Sequence, residues 1–223
     1  TKIPMKLLEE GWKNTEIARY MRETYGVSNE KTALAITIAN REKALLQDLD
    51  YENGYSLYVG IPFCPSICLY CSFGSHPLER WTKRVDEYLD TLCKELTFIR
   101  EQMGARKLTT VYIGGGTPTT LEPEQLRRLL SHIQETFHFT WVKEYTVEAG
   151  RPDSITREKL QVMKEFPVTR ISVNPQTMNQ KTLDVIGRKH TVEDTVNIFH
   201  MARELEFDNI NMDLIIGLPG EGK

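Results

Sequence analysis

From Tyr55 to the end of the chain, short β-rich runs alternate with amphipathic helices, and this alternation is the strongest constraint on the fold. We predict five strands, at residues 56–61, 108–113, 144–147, 168–173 and 209–216. We predict the helices at residues 80–101, 123–137, 154–166, 179–186 and 191–204. Strands and helices that alternate through short loops indicate a parallel sheet. Because the strands are only half apolar, the predicted fold class is α/β with a partial, truncated (βα) barrel of about five parallel strands.

Residues 1–52 have a different character, and we predict that they form a small helical N-terminal segment. Apolar residues recur at helical spacing across this segment, which includes a longer predicted helix from Asn29 to Leu49. A turn at Glu52-Asn53-Gly54 separates it from the α/β core, residues 53–223. The chain begins without a methionine and stops in a loop after an apolar run, so we expect it to be a fragment of a longer protein.

The composition excludes several functional classes. Apolar residues make up 40% and charged residues 26%, as in folded globular proteins and unlike disordered chains. The net charge of -3 argues against a nucleic-acid partner, because such proteins carry a basic surface. No apolar run approaches the roughly 18 residues that a membrane span needs. Four cysteines are too few for a disulfide scaffold, which predicts a reducing, cytoplasmic location.

Three of the four cysteines, Cys64, Cys68 and Cys71, form a C-x₃-C-x₂-C run. Three thiolates on one tight loop suit three corners of a cubane [4Fe–4S] cluster, whose fourth iron then stays open for another molecule. A zinc site made by these cysteines and His76 is the alternative, although structural zinc usually takes C-x₂-C pairs from two separated segments. The fourth cysteine, Cys93, falls in the apolar face of a predicted helix, which indicates a core residue.

Glycines and polar residues recur where the predicted strands end. The Gly114–Pro118 stretch follows the second strand, where three glycines let backbone groups approach a ligand closely. A tight βα turn is the alternative explanation for that motif alone. Glu148 ends the third strand, Asn174 and Gln176 follow the fourth, and Asp213 lies within the fifth. Because the active sites of (βα) barrels lie at the carboxyl ends of the strands, we predict a single site there.

Together these motifs resemble the radical S-adenosylmethionine (SAM) enzymes, and within them the oxygen-independent coproporphyrinogen III oxidase group. The stretches that carry the resemblance are the cysteine run with Tyr58–Phe63 before it, Gly114–Pro118, Arg170–Thr177 and Asn211–Pro219. Residues 174–177 and 186–191, and the N-terminal stretch 1–8, resemble the coproporphyrinogen dehydrogenase branch of this group. The resemblance spans essentially the whole chain and implies a radical SAM barrel.

The resemblance also implies a ligand set. Cys64, Cys68 and Cys71 would ligate a [4Fe–4S] cluster, and SAM would chelate its open iron through the amino and carboxylate groups. The SAM contacts that the resemblance implies are Tyr58, Tyr70, Gly115, Gly116, Thr117, Glu148, Gln176, Arg188 and Asp213. These charges are reasonable for such a ligand, since acids suit a sulfonium and an ammonium group whereas an arginine suits a carboxylate.

The implied activity is that of an oxidoreductase in haem biosynthesis. One electron, from a flavodoxin- or ferredoxin-type partner, cleaves SAM to a 5′-deoxyadenosyl radical, which abstracts hydrogen from a propionate side chain of coproporphyrinogen III. Carbon dioxide leaves, one electron passes to a final acceptor and a vinyl group remains, so that two such steps give protoporphyrinogen IX. The chemistry belongs mainly to the cofactor, and no protein general base or nucleophile is implied.

One departure from the oxidase pattern bears on the substrate. The best-known coproporphyrinogen oxidases carry a fourth cysteine two positions after the third, where this chain has Phe73. Relatives without that cysteine include a haem-carrying chaperone and haem-degrading methyltransferases. Two alternatives therefore stand beside the coproporphyrinogen reaction: another radical SAM transformation of a tetrapyrrole or other substrate, and a haem-binding chaperone whose cluster is regulatory.

Overall fold

The computed structural model describes residues 1–47, 49–50 and 53–221. The chain divides into two compact units, Thr1–Gly54 and Tyr55–Lys223. Glu52 of the predicted turn and the last two residues of the final loop lie outside the described residues. No helix within the described ranges is long and apolar enough to cross a membrane.

The described part of the first unit contains the helices α1 (Lys2–Glu9), α2 (Asn14–Tyr25) and α3 (Asn29–Leu46). Helix α3 ends at Leu46, whereas the sequence predicts its end at Leu49. Apolar side chains from all three helices form a small core, made of Leu7, Leu8, Ile17, Met21, Ile36 and Ala39. This packing agrees with the helical spacing that the sequence predicts for the segment.

The second unit is built on a five-stranded sheet with the strand order β1–β4–β5–β6–β7. Its strands are β1 (Gly54–Ile61), β4 (Lys107–Gly115), β5 (Glu144–Gly150), β6 (Arg170–Val173) and β7 (Ile210–Asn211). The registers of β4 with β5, β5 with β6 and β6 with β7 are all parallel. Two short strands, β2 (Phe63–Cys64) and β3 (His76–Pro77), form a separate parallel pair. This sheet confirms the predicted α/β class and the partial (βα) barrel.

The helices of the second unit are α4 (Leu78–Trp81), α5 (Val85–Met103), α6 (Pro123–Thr136), α7 (Arg157–Lys164), α8 (Gln180–Val185) and α9 (Val192–Glu204). The single helix predicted over 80–101 is interrupted by a 3₁₀ turn at Thr82–Arg84. The interruption arises because Trp81 and Arg84 leave the helical conformation, with ψ values of -2° and 3°. Helix α9 begins with a capping box between Thr191 and Asp194, as its sequence predicts.

The main core lies between the sheet and its helices. The apolar positions of α6 that we predicted to face inward are all buried: Leu126, Leu129, Leu130 and Ile133. The prediction that Cys93 is a core residue was wrong, because the side chain is only half-buried. Leu89, Leu92 and Leu96 take the buried face of α5, and Cys93 lies on its flank.

Two strand boundaries matter for the site. Strand β5 continues to Gly150, so Glu148 lies inside the strand rather than after it. Strand β7 is much shorter than predicted and pairs with β6 only at Ile210 and Asn211. Beyond that point the Asn174 side chain accepts the Asp213 N–H at 3.2 Å, and Asp213 therefore lies on a loop at the rim of the sheet.

Candidate functional site

One cavity at the carboxyl ends of the strands brings together nearly all of the predicted site residues. Eleven of the twelve line it: Cys64, Cys68, Tyr70, Cys71, Gly115, Gly116, Thr117, Glu148, Gln176, Arg188 and Asp213. Asn174, which we predicted from its place after the fourth strand, lines the same cavity. The exception, Tyr58, lines an adjoining cavity that shares Gly115 and Gly116 with the first.

The cysteine loop supplies one wall of this cavity. Cys64 and Cys68 are buried, Cys71 is half-buried, and all three are free thiols, as is Cys93. The Cys71 N–H donates to the Cys68 carbonyl at 3.1 Å, and this turn keeps the last two cysteines on the same side of the loop. The three thiols therefore face one space without having formed a disulfide.

The same loop is tied to the segment that follows α8. The Leu69 N–H donates to the Ile186 carbonyl at 3.0 Å, and the Ser66 hydroxyl donates to the Gly187 carbonyl at 3.1 Å. These bonds satisfy polar groups of a loop that has little regular structure of its own. As a result, the position of the cysteines depends on a part of the chain more than a hundred residues later.

The glycine motif forms the floor of the cavity. Gly115 has φ +103°, a conformation that side chains disfavour, and a Cβ there would lie 3.0 Å from the Ile61 backbone. A Cβ on Gly116 would lie 2.7 Å from the Phe63 carbonyl oxygen and 3.0 Å from the Cys64 sulfur. The two glycines thus allow the β4 end and the cysteine loop to approach more closely than any residue with a side chain would permit.

Backbone hydrogen bonds hold this close approach in place. The Gly116 N–H donates to the Ile61 carbonyl at 2.7 Å, and the Thr117 N–H donates to the Phe63 carbonyl at 2.8 Å. The Thr117 hydroxyl also lies 3.5 Å from the Cys64 sulfur and is oriented to donate to it. The motif is therefore more than a tight turn, because it contacts a cysteine directly.

Two carboxylates, Glu148 and Asp213, line the same cavity as the cysteines. Burial, and secondarily the charge of Asp213, raises the pKa of Glu148 to about 6. Because burial disfavours its charged form, Glu148 binds a proton more tightly than an exposed glutamate does. Neighbouring Gln176 is buried and has φ +68°, and its N–H donates to the Asp213 carbonyl at 3.0 Å.

Arg188 connects the end of β6 to the cysteine loop. Its guanidinium donates to the Tyr70 hydroxyl at 2.8 Å and to the Asn174 carbonyl at 3.2 Å. The buried Arg188 Nε has no hydrogen-bond partner within the described residues, so the group keeps an unused donor. Nearby His190 is neutral at pH 7, because burial and the charge of Arg188 lower its pKa to about 4.

Tyr58 stands apart from the other predicted residues. It lies on the edge strand β1 with 62% of its surface exposed, and its ring stacks on Tyr112 at 5.8 Å between centroids. Tyr58 shares the adjoining cavity with Gly115 and Gly116. A direct role of Tyr58 at the cysteines stays a prediction.

Sequence reasoning missed Arg151, a buried residue that is 3% exposed and lines the cavity. Its Nη1 lies 2.9 Å from both the carbonyl and the hydroxyl oxygen of Ser66 and 3.7 Å from the Cys68 sulfur. A signal was available, because Arg151 directly follows β5, the strand that carries Glu148. A charged residue at that end of a parallel strand is in the same region as the other site residues.

The donor set fits a cubane cluster better than a zinc ion. Among the residues that the structure describes, no three His, Cys, Asp or Glu side chains are arranged to hold one metal ion. A cubane differs from such a site, since each cysteine binds a different iron. His76, the fourth ligand of the zinc alternative, lines another cavity with Trp81. Three thiols that line one cavity therefore suit the cluster, and the acids and Arg188 of the same cavity suit SAM.

Comparison with known proteins agrees with this geometry. The Radical SAM superfamily model matches residues 58–223. The chain is 41% identical over 226 residues to the oxygen-independent coproporphyrinogen-III oxidase-like protein HemZ of Bacillus subtilis, covering 100% of the chain and 45% of that protein. It is also 41% identical to the haem chaperone HemW of Bacillus subtilis, covering 74% of the chain and 43% of that protein. The chain thus spans less than half the length of these relatives.

A solved structure gives the same result. The coproporphyrinogen III oxidase HemN of Escherichia coli, a radical SAM enzyme, superposes with a TM-score of 0.69 and 31% sequence identity. The superposition covers 80% of this chain and 41% of HemN. The family model, the whole-length match to HemZ and the shared fold confirm the resemblance that the motifs indicated: the chain belongs to the radical SAM superfamily.

Proposed function

We propose that this chain is the catalytic core of a radical SAM oxidoreductase that converts coproporphyrinogen III to protoporphyrinogen IX. One observation carries the proposal: the three cysteines line the same cavity as Gly115, Gly116, Glu148 and Asp213. When bound, the [4Fe–4S] cluster and SAM supply the one-electron chemistry that generates a 5′-deoxyadenosyl radical. The free thiols are consistent with a reducing, cytoplasmic compartment.

In this proposal Cys64, Cys68 and Cys71 hold the cluster. Thr117 orients Cys64 through its hydroxyl, and the turn between Cys68 and Cys71 sets the relative direction of their thiols. A cluster held by these three cysteines would keep one iron without a protein ligand, and that iron could bind the amino and carboxylate groups of SAM.

The other cavity residues bind and orient SAM. Glu148 and Asp213 supply negative charge for its cationic groups, and Gln176 supplies an amide. Tyr70 lies between the last two cysteines and is positioned by Arg188, so it is placed to contact the adenine. The backbone of Gly115 and Gly116 lets the methionine end of SAM approach the floor of the cavity.

The choice of coproporphyrinogen III rests on relatives. HemZ matches the chain along its entire length, and the oxygen-independent coproporphyrinogen III oxidase of Escherichia coli is 30% identical over 96% of the chain. The shared chain covers 47% of that oxidase, so the residues that select the substrate need not lie within it. We infer a flavodoxin- or ferredoxin-type protein as the electron donor.

The test uses the full-length protein, reconstituted anaerobically with iron and sulfide. SAM, a reductant and coproporphyrinogen III are added, and the products are followed by mass spectrometry. Loss of two carboxyl groups, matched by 5′-deoxyadenosine, is the expected result. Formation of 5′-deoxyadenosine without a decarboxylated product would keep the radical chemistry and reject this substrate.

A second function is favoured by two specific observations. HemW, named a haem chaperone, is 41% identical over 74% of this chain, and Phe73 replaces the fourth cysteine of the oxidase pattern. Phe73 is 67% exposed and lines the cavity beside Cys71, where an apolar ring could contact a tetrapyrrole. The test is haem binding by the cluster-loaded protein. Stoichiometric binding, with neither 5′-deoxyadenosine nor a decarboxylated product formed, would establish the chaperone function.

A further inference from the structure

Arg151 is a buried cation whose side chain has two separate sets of contacts. One edge of the guanidinium pairs with Asp153, with Nε and Nη2 at 2.9 and 2.7 Å from the two carboxylate oxygens. The remaining nitrogen, Nη1, contacts Ser66 and the sulfur of Cys68. The side-chain exposures are 4% for Arg151 and 16% for Asp153, so water does little to solvate this pair.

The pair holds Arg151 in a single orientation. A two-pronged contact between a guanidinium and a carboxylate fixes the plane of the guanidinium as well as its position. A guanidinium stays protonated throughout the pH range in which proteins fold, and the ion pair with Asp153 offsets the cost of burying that charge. Asp153 therefore aims a permanent positive charge at the cysteine loop.

The contact with sulfur is short enough to be a hydrogen bond. The Nη1 to Cys68 Sγ distance is 3.7 Å, and bonds to sulfur are longer than bonds to oxygen because the sulfur atom is larger. The same nitrogen also holds the Ser66 carbonyl, two residues before Cys68. Arg151 therefore both positions Cys68 and places a positive charge beside its sulfur atom.

Hydrogen bonds to ligating sulfurs and nearby positive charge are known to shift the reduction potential of iron–sulfur clusters. We propose that Arg151, held by Asp153, is a positioning residue that makes the cluster at Cys68 easier to reduce. The inference rests on the proposed function, because it assumes that Cys68 ligates a cluster. Reduction adds one electron, and the adjacent guanidinium stabilises the extra negative charge.

The experiment is a redox titration of the full-length, reconstituted protein with dithionite, followed by the electron paramagnetic resonance signal of the reduced cluster. Arg151→Gln removes the charge, and Arg151→Lys keeps it without the planar fork. The double variant R151Q/D153N avoids leaving Asp153 buried without a partner. Arg157→Gln is the matched control, because Arg157 pairs with Glu204 on the surface at 2.6 Å.

We expect R151Q and R151Q/D153N to be at least tenfold harder to reduce, a shift of about 59 mV to more negative potential for a one-electron couple. R151K should lie between them and wild type, and R157Q should match wild type. The iron content of each sample is measured first. Equal potentials in loaded wild type, R151Q/D153N and R151K would overturn the inference while leaving the proposed function intact.

Other outcomes separate the two claims. Wild-type protein that takes up no iron and gives no signal would reject the proposed function itself. R151Q and R151Q/D153N could both lose the cluster while R157Q keeps it. The reduction potential of R151K then decides, and a potential equal to that of wild type overturns the inference. A shift equal in R157Q and R151Q would also overturn it, because it would reflect loss of any arginine.

Discussion

Arg188 donates a hydrogen bond of 2.8 Å to the hydroxyl of Tyr70, a residue 118 positions earlier in the chain. Tyr70 lies between Cys68 and Cys71, so the bond reaches into the middle of the cysteine loop. Because the same guanidinium also donates to the Asn174 carbonyl, it links the cysteine loop to the end of β6. The two walls of the cavity are thus joined by one side chain.

Removing the Tyr70 hydroxyl should weaken SAM binding without removing the cluster. Tyr70→Phe loses a hydrogen bond to a charged group, a contact worth about 1.5 kcal/mol, which corresponds to about a tenfold loss of affinity. Calorimetric titration with SAM of the cluster-loaded protein measures this effect. Leu69→Ala is the control, because the Leu69 side chain is 69% exposed and does not line the cavity. Equal weakening in both variants would contradict the assigned role of the hydroxyl.

Cys64→Ala should abolish cluster assembly and 5′-deoxyadenosine formation together. Iron content, visible absorbance and product formation are measured on the same samples. Cys93→Ala is the control, since Cys93 is a half-buried thiol on α5, and burial raises its pKa above the ordinary value. The control should keep the iron content of wild type, and full activity in Cys64→Ala would reject the cluster assignment.

A single methyl group at Gly116 should disrupt the site. In Gly116→Ala the new Cβ would lie 2.7 Å from the Phe63 carbonyl oxygen, so the loop must shift at a cost of about 1–3 kcal/mol. We expect a lower melting temperature and reduced iron content, measured by thermal unfolding and by iron analysis. Gly74→Ala is the matched control, because a Cβ at Gly74 meets nothing within 4 Å. Identical iron content in the two variants would contradict the proposed close approach.

Glu148 should give the stability of the protein a defined pH dependence. With a pKa raised to about 6, the folded protein binds this proton more tightly than the unfolded chain does. The resulting stabilisation is complete below about pH 4.5 and is lost as the pH rises through about 6. Relative to Glu148→Gln, the wild-type free energy of unfolding should fall by about 0.6 kcal/mol between pH 5 and pH 7.5, after discounting for residual solvent contact.

Urea unfolding of both proteins at several pH values measures this difference. Asp213→Asn should move the drop to lower pH, because it removes the charge that adds to the raised pKa of Glu148. A wild-type curve parallel to that of Glu148→Gln across the range would show that Glu148 is ordinarily solvated.

The sequence predicted the fold well where the pattern was periodic. The inward face of α6 and the capping box of α9 follow from local spacing alone, and both are confirmed. The end of the fifth strand does not follow from local spacing, since it depends on the Asp213 N–H donating to Asn174, the residue after β6. Apolar residues after Asn211 look like a strand in sequence, but tertiary contacts decide their conformation.

The same distinction holds for the site. The eleven predicted residues share one cavity because most of them lie at or just beyond the carboxyl ends of parallel strands, whereas Arg188, which follows α8, was placed there by the resemblance alone. Arg151 was missed because its importance comes from contacts with Ser66 and Asp153, of which only the second is local in sequence. Tyr58 was placed with the cysteines by resemblance, whereas in the structure its ring lies against Tyr112.

The ties between the cysteine loop and residues 186–188 have a consequence for the order of folding. Closing a loop of more than a hundred residues costs entropy that is recovered only when both ends are present, so these bonds form late. During synthesis, the cysteines leave the ribosome well before the segment that holds them in place. A chain halted before α8 would carry its three thiols without the contacts of Ile186 and Gly187, and metal insertion should therefore follow completion of the fourth βα unit.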